Sequence, residues 1–171
     1  IALVKELVSR YTKTVDRKPG ASERPVSMSL SAVEFVQPLT FASLSQNRVI
    51  VNTFPDNQKN GTDVQTWHID YSLWADIILI APATINTVAK IAHGFADNAL
   101  TTLVSAARSP IIVAPAADVD MYENKQTQEN LKKMEELGYI IIPAEEGELA
   151  SGLSGRGRLA DNKKIIDAVE L

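Results

Sequence analysis

No cysteine occurs in the 171 residues, so disulfides, thiolate metal sites, iron–sulfur clusters and a cysteine nucleophile are all excluded. Histidine is nearly as scarce, with only His68 and His93, and no metal site is expected. Long apolar runs are missing too: the longest, Ile77 to Ala83, is far too short to span a bilayer. No charged-then-apolar leader opens the chain, so a cytoplasmic location away from membranes is the default expectation. Neither sign of charge dominates. Seventeen Lys plus Arg stand against 21 Asp plus Glu, interspersed, for a net charge of −4, which leaves no electrostatic footprint for nucleic acid or an anionic membrane. A phosphate ligand is still open, because helix N-termini bind anions without net basic charge. What is present is 45% hydrophobic and 22% charged residues spread along the chain, enough for one globular domain and too few for two.

From Asp76 onward, short apolar runs alternate with longer amphipathic stretches, the pattern of an α/β domain on a parallel sheet. Strands are expected at Ile77–Ala81, Ile111–Pro115 and Tyr139–Pro143, each apolar on both faces as a strand covered by helices would be. Between the first two, Val88, Ile91 and Ala92 fall at helical spacing, as do Leu100, Leu103, Val104 and Ala107, with Gly94 as the break. A surface helix over 127–137 should turn Leu131, Met134 and Leu137 inward and end at Gly138. Upstream, the spacing predicts a helix over 1–11, a polar linker over 13–25, a short strand at Val26–Met28, a helix opening at Pro38, and a loop over 56–63.

Three segments carry chemistry, because each is polar or glycine-rich where a strand ends, and in a doubly wound sheet the ligand crevice lies outside the carboxyl ends of the strands. In Ala81-Pro82-Ala83-Thr84-Ile85-Asn86-Thr87, hydroxyls and helix-start N–H groups suit a phosphate or the edge of a flat heterocycle; ordinary capping by Thr84 or Asn86 is the plainer account. In the segment from Ala114 to Tyr122, Asp118 is placed to meet a substrate and Asp120 to cap the next helix; two solvated or capping carboxylates is the plainer account. The segment Glu148–Leu159 sets Gly152, Gly155 and Gly157 among Arg156 and Arg158, as a mobile basic flap over an anionic ligand or, more plainly, a surface loop. His68 is expected just before a strand, where a lone histidine is usually structural; His93, mid-helix, has a weaker claim.

Taken together, His68-Ile69 with Trp74-Ala75-Asp76, then APATINTVAKIAHGFADN, PAADVDMYENKQTQEN and ELASGLSGRGRL, with Phe35–Phe41 upstream, resemble the homo-oligomeric flavin-containing cysteine decarboxylases, phosphopantothenoylcysteine decarboxylase among them. The resemblance covers nearly all of residues 26–161. It implies a Rossmann-like (flavodoxin-like) doubly wound parallel sheet in three α/β/α layers, and FMN held between subunits of a homotrimer or a dodecamer of trimers. It also implies 4'-phosphopantothenoylcysteine as the substrate, whose thiol is oxidised, whose carboxylate leaves as carbon dioxide, and whose resulting enethiol is reduced. By motif, His68 matches the catalytic histidine. Ser29 and Ser31 match phosphate-side contacts of FMN, Thr84, Ile85, Asn86 and Thr87 match residues that hold the flavin, and Ala116 matches a backbone contact near it. Asp118 matches a substrate-carboxylate residue, with Met121, Ala150 and Arg156 also on the substrate side, and Ser151 matches the acid that ends the cycle.

The departures from the family pattern are specific. Ala117-Asp118 stands where many members have Met-Asn, and an ionised Asp118 would repel a substrate carboxylate unless protonated, paired with a cation or turned elsewhere. Ser151 stands where a cysteine is common, and a hydroxyl is a far weaker acid than a thiol of pKa about 8.5. If no other acid substitutes, the cycle stalls after decarboxylation. The resemblance also implies a first strand ahead of Ile1, so that residues 1–171 make one decarboxylase domain lacking that strand, with a possible synthetase domain outside this chain. A peptidyl-cysteine decarboxylase and a non-catalytic flavin-binding regulatory subunit are the alternatives, the latter disfavoured by the presence of His68.

Overall fold

The computed structural model describes Leu3, residues 25–54 and residues 66–170. Apart from Leu3, the helix expected over 1–11, the linker as far as residue 24 and the loop expected over 56–63 lie outside the described residues.

The N-terminal part pairs β1 (Val26–Ser27) with β2 (Val49–Ile50) in parallel, joined through α1 (Leu30–Val33) and α2 (Pro38–Ser45). Helix α2 starts on Pro38, whose fixed φ and missing N–H suit a first helical turn. Helix α3 (Trp67–Trp74) then leads to β3 (Ile78–Ala83). A crossover of α4 (Ile85–Ala92) and α5 (Ala99–Ala106) leads to β4 (Ile111–Pro115), and α6 (Val119–Glu123) with α7 (Lys125–Glu136) leads to β5 (Ile140–Ile141). Strands β3, β4 and β5 form a parallel sheet with β4 central. An antiparallel hairpin of β6 (Glu145–Glu148) and β7 (Ser154–Arg158) follows, and α8 (Asn162–Val169) completes the described chain.

Period-two burial in the central strands creates the layers. Ile78, Ile80, Ile111 and Val113 face one way, packing on Val88, Ile91 and Ala92 of α4, Val104 of α5 and Leu131 and Met134 of α7. Ile112 and Ala114, with Leu79, face the other way and meet Ile165 and Ile166 of α8, together with Leu3. That is the α/β/α sandwich, and it explains why these strands read as unbroken apolar runs: both faces are covered. The break at Gly94 stands (φ +72), and Asn98 and Thr101 close a reciprocal capping box that restarts the chain as α5. Gly138 (φ +91) ends α7 in a Schellman arrangement, its N–H on Glu135 O and the Tyr139 N–H on Met134 O.

Three expectations are corrected here. The strand expected over Tyr139–Pro143 is only Ile140–Ile141, and Ile140 is 44% exposed, because β5 lies at the end of the three-stranded order and is not covered on both faces. Leu137 does not turn inward: it is the C-cap of α7, where the helical path stops, and it is 62% exposed. His68 does not sit in a loop leading into a strand but in the first turn of α3.

Candidate functional site

Each turn at a carboxyl strand end is built by its own sequence. After β3, Thr84 is the N-cap of α4: its Oγ1 accepts the Thr87 N–H at 3.3 Å and lies 3.1 Å from Thr87 Oγ1. Capping by Thr84 is therefore real, and it leaves the Ile85 and Asn86 N–H groups at the helix start, where anions and polar ligand edges are favoured. After β1, the same device recurs with Ser29, whose Oγ accepts the Ala32 N–H at 3.2 Å; Ser31 follows, exposed, inside α1.

After β4, the segment Ala116–Asp118 bends into α6. Here Asp118, and not Asp120, takes the N-cap position, and its carboxylate makes no capping hydrogen bond; Asp120 lies in the first turn. The Ala116 N–H donates to the Ala83 carbonyl at 3.0 Å, which brings this turn against the one bearing Thr84. Thr84 to Thr87, Ala116 and Asp118 thus share one end of the sheet.

The segment 148–159 forms the turn and second strand of the antiparallel β6–β7 hairpin. Gly152 (φ +83) serves the turn, closed by the Leu149 N–H on the Leu153 carbonyl at 2.8 Å. Gly155 and Gly157 lie within β7, against the Ala117–Val119 segment, and the Ala117 N–H donates to the Gly157 carbonyl at 3.0 Å. Arg158 is not directed at a ligand: it donates to Glu145 across the hairpin at 3.0 Å, and Lys164 of α8 reaches the other Glu145 oxygen at 2.7 Å. These cations, Lys164 foremost, with a backbone donor at Asp161, hold the Glu145 carboxyl down from the ordinary 4.5 to about 2. Arg156 is exposed with no partner among the described residues. Ala150 and Ser151 occupy the exposed turn, where Ser151 Oγ accepts the Leu153 N–H at 3.3 Å, and Met121 is exposed on α6.

His68 stands on a separate support. Its neighbour Trp67 is fully buried against Ile50 and Ala99, and the indole N–H donates to the Thr53 carbonyl, just beyond β2, at 2.9 Å. The imidazole meets the Trp67 ring edge-on at 5.7 Å, and its Nδ1 is buried without a hydrogen-bond partner among the described residues. A buried nitrogen left unpaired is costly, so it marks a place where a partner is expected. No hydrogen bond among the described residues joins His68 to Asp118 or Ser151. His93 is occupied structurally, its Nε2 lying 3.1 Å from Asn130 Oδ1.

Sequence reasoning missed two features of the site. Ser27 Oγ, at the end of β1, is buried and, like His68 Nδ1, without a partner among the described residues. Tyr122 of α6 is buried, and its Oη accepts the Ala144 N–H at 3.1 Å, tying the root of the hairpin to the helix that Asp118 begins. The tyrosine directly after Asp118-Val119-Asp120-Met121 was the available signal, but its partner is distant in sequence. Among the described residues no helix is long and apolar enough to cross a membrane, and no group of His, Asp and Glu is arranged to hold a metal.

Known proteins agree with this architecture. The chain is 45% identical over 134 residues to a cysteine/cysteine sulfinic acid decarboxylase of an unknown prokaryotic organism, covering 78% of this chain and 36% of that one. It is 39% identical over 147 residues to a probable phosphopantothenoylcysteine decarboxylase of Streptococcus mutans, covering 85% and 80%. Among solved structures, a PPC decarboxylase with a Cys-to-Ser substitution, complexed with pantothenoylaminoethenethiol, superposes with a TM-score of 0.76 at 29% identity, over 99% of this chain and 90% of that one. The chain spans about a third of the length of the first curated relatives it matches, at 36%, 35% and 36%. The Flavoprotein family model matches residues 3–170. With a layered parallel sheet, capped turns converging at its carboxyl end and a family match over almost its whole length, the chain belongs to the Flavoprotein family.

Proposed function

We propose that this chain is an FMN-dependent decarboxylase unit that converts 4'-phosphopantothenoylcysteine to 4'-phosphopantetheine in coenzyme A synthesis. The observation that carries this reading is His68: the residue matching the family's catalytic histidine keeps a buried Nδ1 without a partner among the described residues, on a helix anchored beside the end of β2. The residues present fit a flavin, since Ser27 Oγ and His68 Nδ1 are orphaned polar atoms and the start of α4 offers free N–H groups. FMN, when bound, supplies the two-electron acceptor for oxidation of the substrate thiol.

The chain's own residues supply the rest. His68 takes the thiol proton, a duty suited to imidazole. Ile85 and Asn86 hold the flavin edge through backbone N–H groups, Thr84, Thr87 and Ala116 line it, and Ser29 and Ser31 serve its phosphate. Asp118, with a carboxylate free of capping, meets the carboxylate end of the substrate, and a proton or a cation held there keeps the two from repelling each other, while Arg156 lies on the opposite face of β7 from Gly155 and Gly157. Met121 and Ala150 enclose the substrate. Ser151 is a poor acid, so the enethiol is the species this chain reduces slowly; the Cys-to-Ser neighbour complexed with pantothenoylaminoethenethiol supports that view. The exposed Leu30, Phe35, Leu39 and Phe54, with Phe35 at 89%, support an apolar face covered on assembly; the resemblance makes that assembly a homotrimer or a dodecamer of trimers, which sedimentation will separate.

One observation favours a second reading. The 45% identity to a cysteine/cysteine sulfinic acid decarboxylase supports a smaller substrate, free cysteine, which keeps the thiol that the proposed oxidation requires.

The test mixes the FMN-loaded chain anaerobically with 4'-phosphopantothenoylcysteine and follows flavin absorbance and product mass together, with free cysteine and cysteine sulfinic acid as competitors. His68→Asn is expected to retain FMN and lose product. Unchanged turnover in that variant overturns the role of His68, and turnover of free cysteine alone selects the second reading.

A further inference from the structure

The glycines of β7 do something other than bend. Glycine weakens a strand interior, yet two occur in the five residues Ser154–Arg158. Neither has a positive φ, unlike Gly152 in the turn, so backbone freedom is not what the two positions require. What they require is the absence of a Cβ. One built on Gly157 would lie 2.2 Å from the Ala117 carbonyl oxygen and 3.3 Å from its carbon, both backbone atoms that cannot swing aside. One built on Gly155 would lie 2.7 Å from Val119 Cγ2 and 3.1 Å from Val119 Cβ.

The Ala116–Val119 segment is thereby held from both sides. The Ala116 N–H is bonded to Ala83 at the end of β3, and the Ala117 N–H to Gly157 of β7. Asp118 sits between these ties with a carboxylate that has no capping bond to aim it, so its reach is set by where the backbone is held. The hairpin is itself fixed at its root by the Tyr122–Ala144 hydrogen bond and by Glu145 between Arg158 and Lys164.

We propose that Gly155 and Gly157 are positioning residues: β7 docks on the Ala117–Val119 segment through them and thereby fixes Asp118 for recognition of the substrate's carboxylate end. This rests on the proposed function, in which Asp118 meets the substrate. Ser154, exposed in the same strand, is the internal control, because that position already carries a side chain; a Cβ on Gly147 would crowd Arg158, 3.0 Å from Cδ, and so disturb the Glu145 anchor.

The experiment uses the FMN-loaded chain and 4'-phosphopantothenoylcysteine, with KM, kcat, FMN affinity and thermal midpoint measured for each variant. Ser154→Ala is expected to leave all four within about twofold. Gly155→Ala is expected to raise KM by about tenfold with kcat and FMN affinity little changed, since an ångström of misplacement costs up to about a hundredfold. Adding Val119→Ala removes the methyl groups in the way and is expected to restore most of the KM, a coupling that a general loss of stability would not produce. Gly157→Ala, which strikes backbone, is expected to exceed Gly155→Ala; if it fails to fold, the Gly155 and Val119 pair decides. An unchanged KM in folded Gly155→Ala, or a raised KM that Val119→Ala does not lower, overturns the proposal. If the parent chain does not turn over the substrate, the proposed function fails, and the amide chemical shifts of Ala117 and Asp118 in Gly155→Ala, unmoved or moved, still decide whether the hairpin positions the turn.

Discussion

Two turns at the same end of the sheet use their polar side chains in opposite ways. After β3, Thr84 turns its hydroxyl onto its own helix, satisfying the Thr87 N–H and holding the α4 start in place. After β4, Asp118 takes the equivalent N-cap position and leaves its carboxylate unbonded to the helix it begins. The first turn is self-contained, and what it offers a ligand is backbone. The second depends on Ala83 on one side and Gly157 on the other, and what it offers is a side chain. The same chain position relative to strand and helix thus carries in one turn a side chain spent on its own helix and in the other a side chain left unbonded to it, the one to which the proposed function gives the substrate.

That contrast can be broken most sharply at Asp118. Asp118→Ala is expected to lower kcat/KM by about a hundredfold, or about 2.7 kcal/mol, while stability moves by no more than about 0.5 kcal/mol; a melting curve beside steady-state kinetics checks both. Thr84→Ala should do the reverse, lowering stability by about 1 kcal/mol in denaturant titration with a smaller effect on KM. Equal stability losses in the two variants would erase the distinction drawn between them. A finer test is acid. Glu145 anchors the hairpin that holds the Asp118 turn but has no part in the Thr84 turn. Its folded pKa is lowered from 4.5 to about 2, so its stabilising contribution is complete above about 4.5 and is lost as pH falls towards about 2. Thermal midpoints measured across that window should fall in the parent chain and fall less in Glu145→Gln, with the substrate KM rising before flavin affinity is lost.

The central layers were legible because the signals were local and repeated. Ile111-Ile112-Val113-Ala114 is apolar at every position, which only a strand covered on both faces accommodates, and the i, i+3, i+4 set of Val88, Ile91 and Ala92 is buried as its period demands. The capping role of Thr84 was likewise readable from its place before an amphipathic run. Where the reading failed, the deciding partner was distant in the chain or the element was too short to show a period. Gly155 and Gly157 looked like hinges because the Ala117 carbonyl and Val119 that require them lie in another segment. Arg158 looked free for a ligand because Glu145 is across a hairpin whose strands, rich in charge and glycine, carry no alternation. His68 opens a helix of WHIDYSLW, which has apolar residues on every side and therefore no face to find.

Strand β4 has a partner on each side and every residue buried, whereas β3 and β5 each pair with one neighbour among the described residues. Its amides should therefore be the last in the sheet to exchange with solvent deuterium, opening only when the whole domain opens. The Asp118 carboxylate is mounted three residues beyond the part of the molecule that breathes least. In the proposed role its backbone, so rooted, loses little freedom when the ligand arrives, and only the rotation of the short aspartate side chain remains to be fixed.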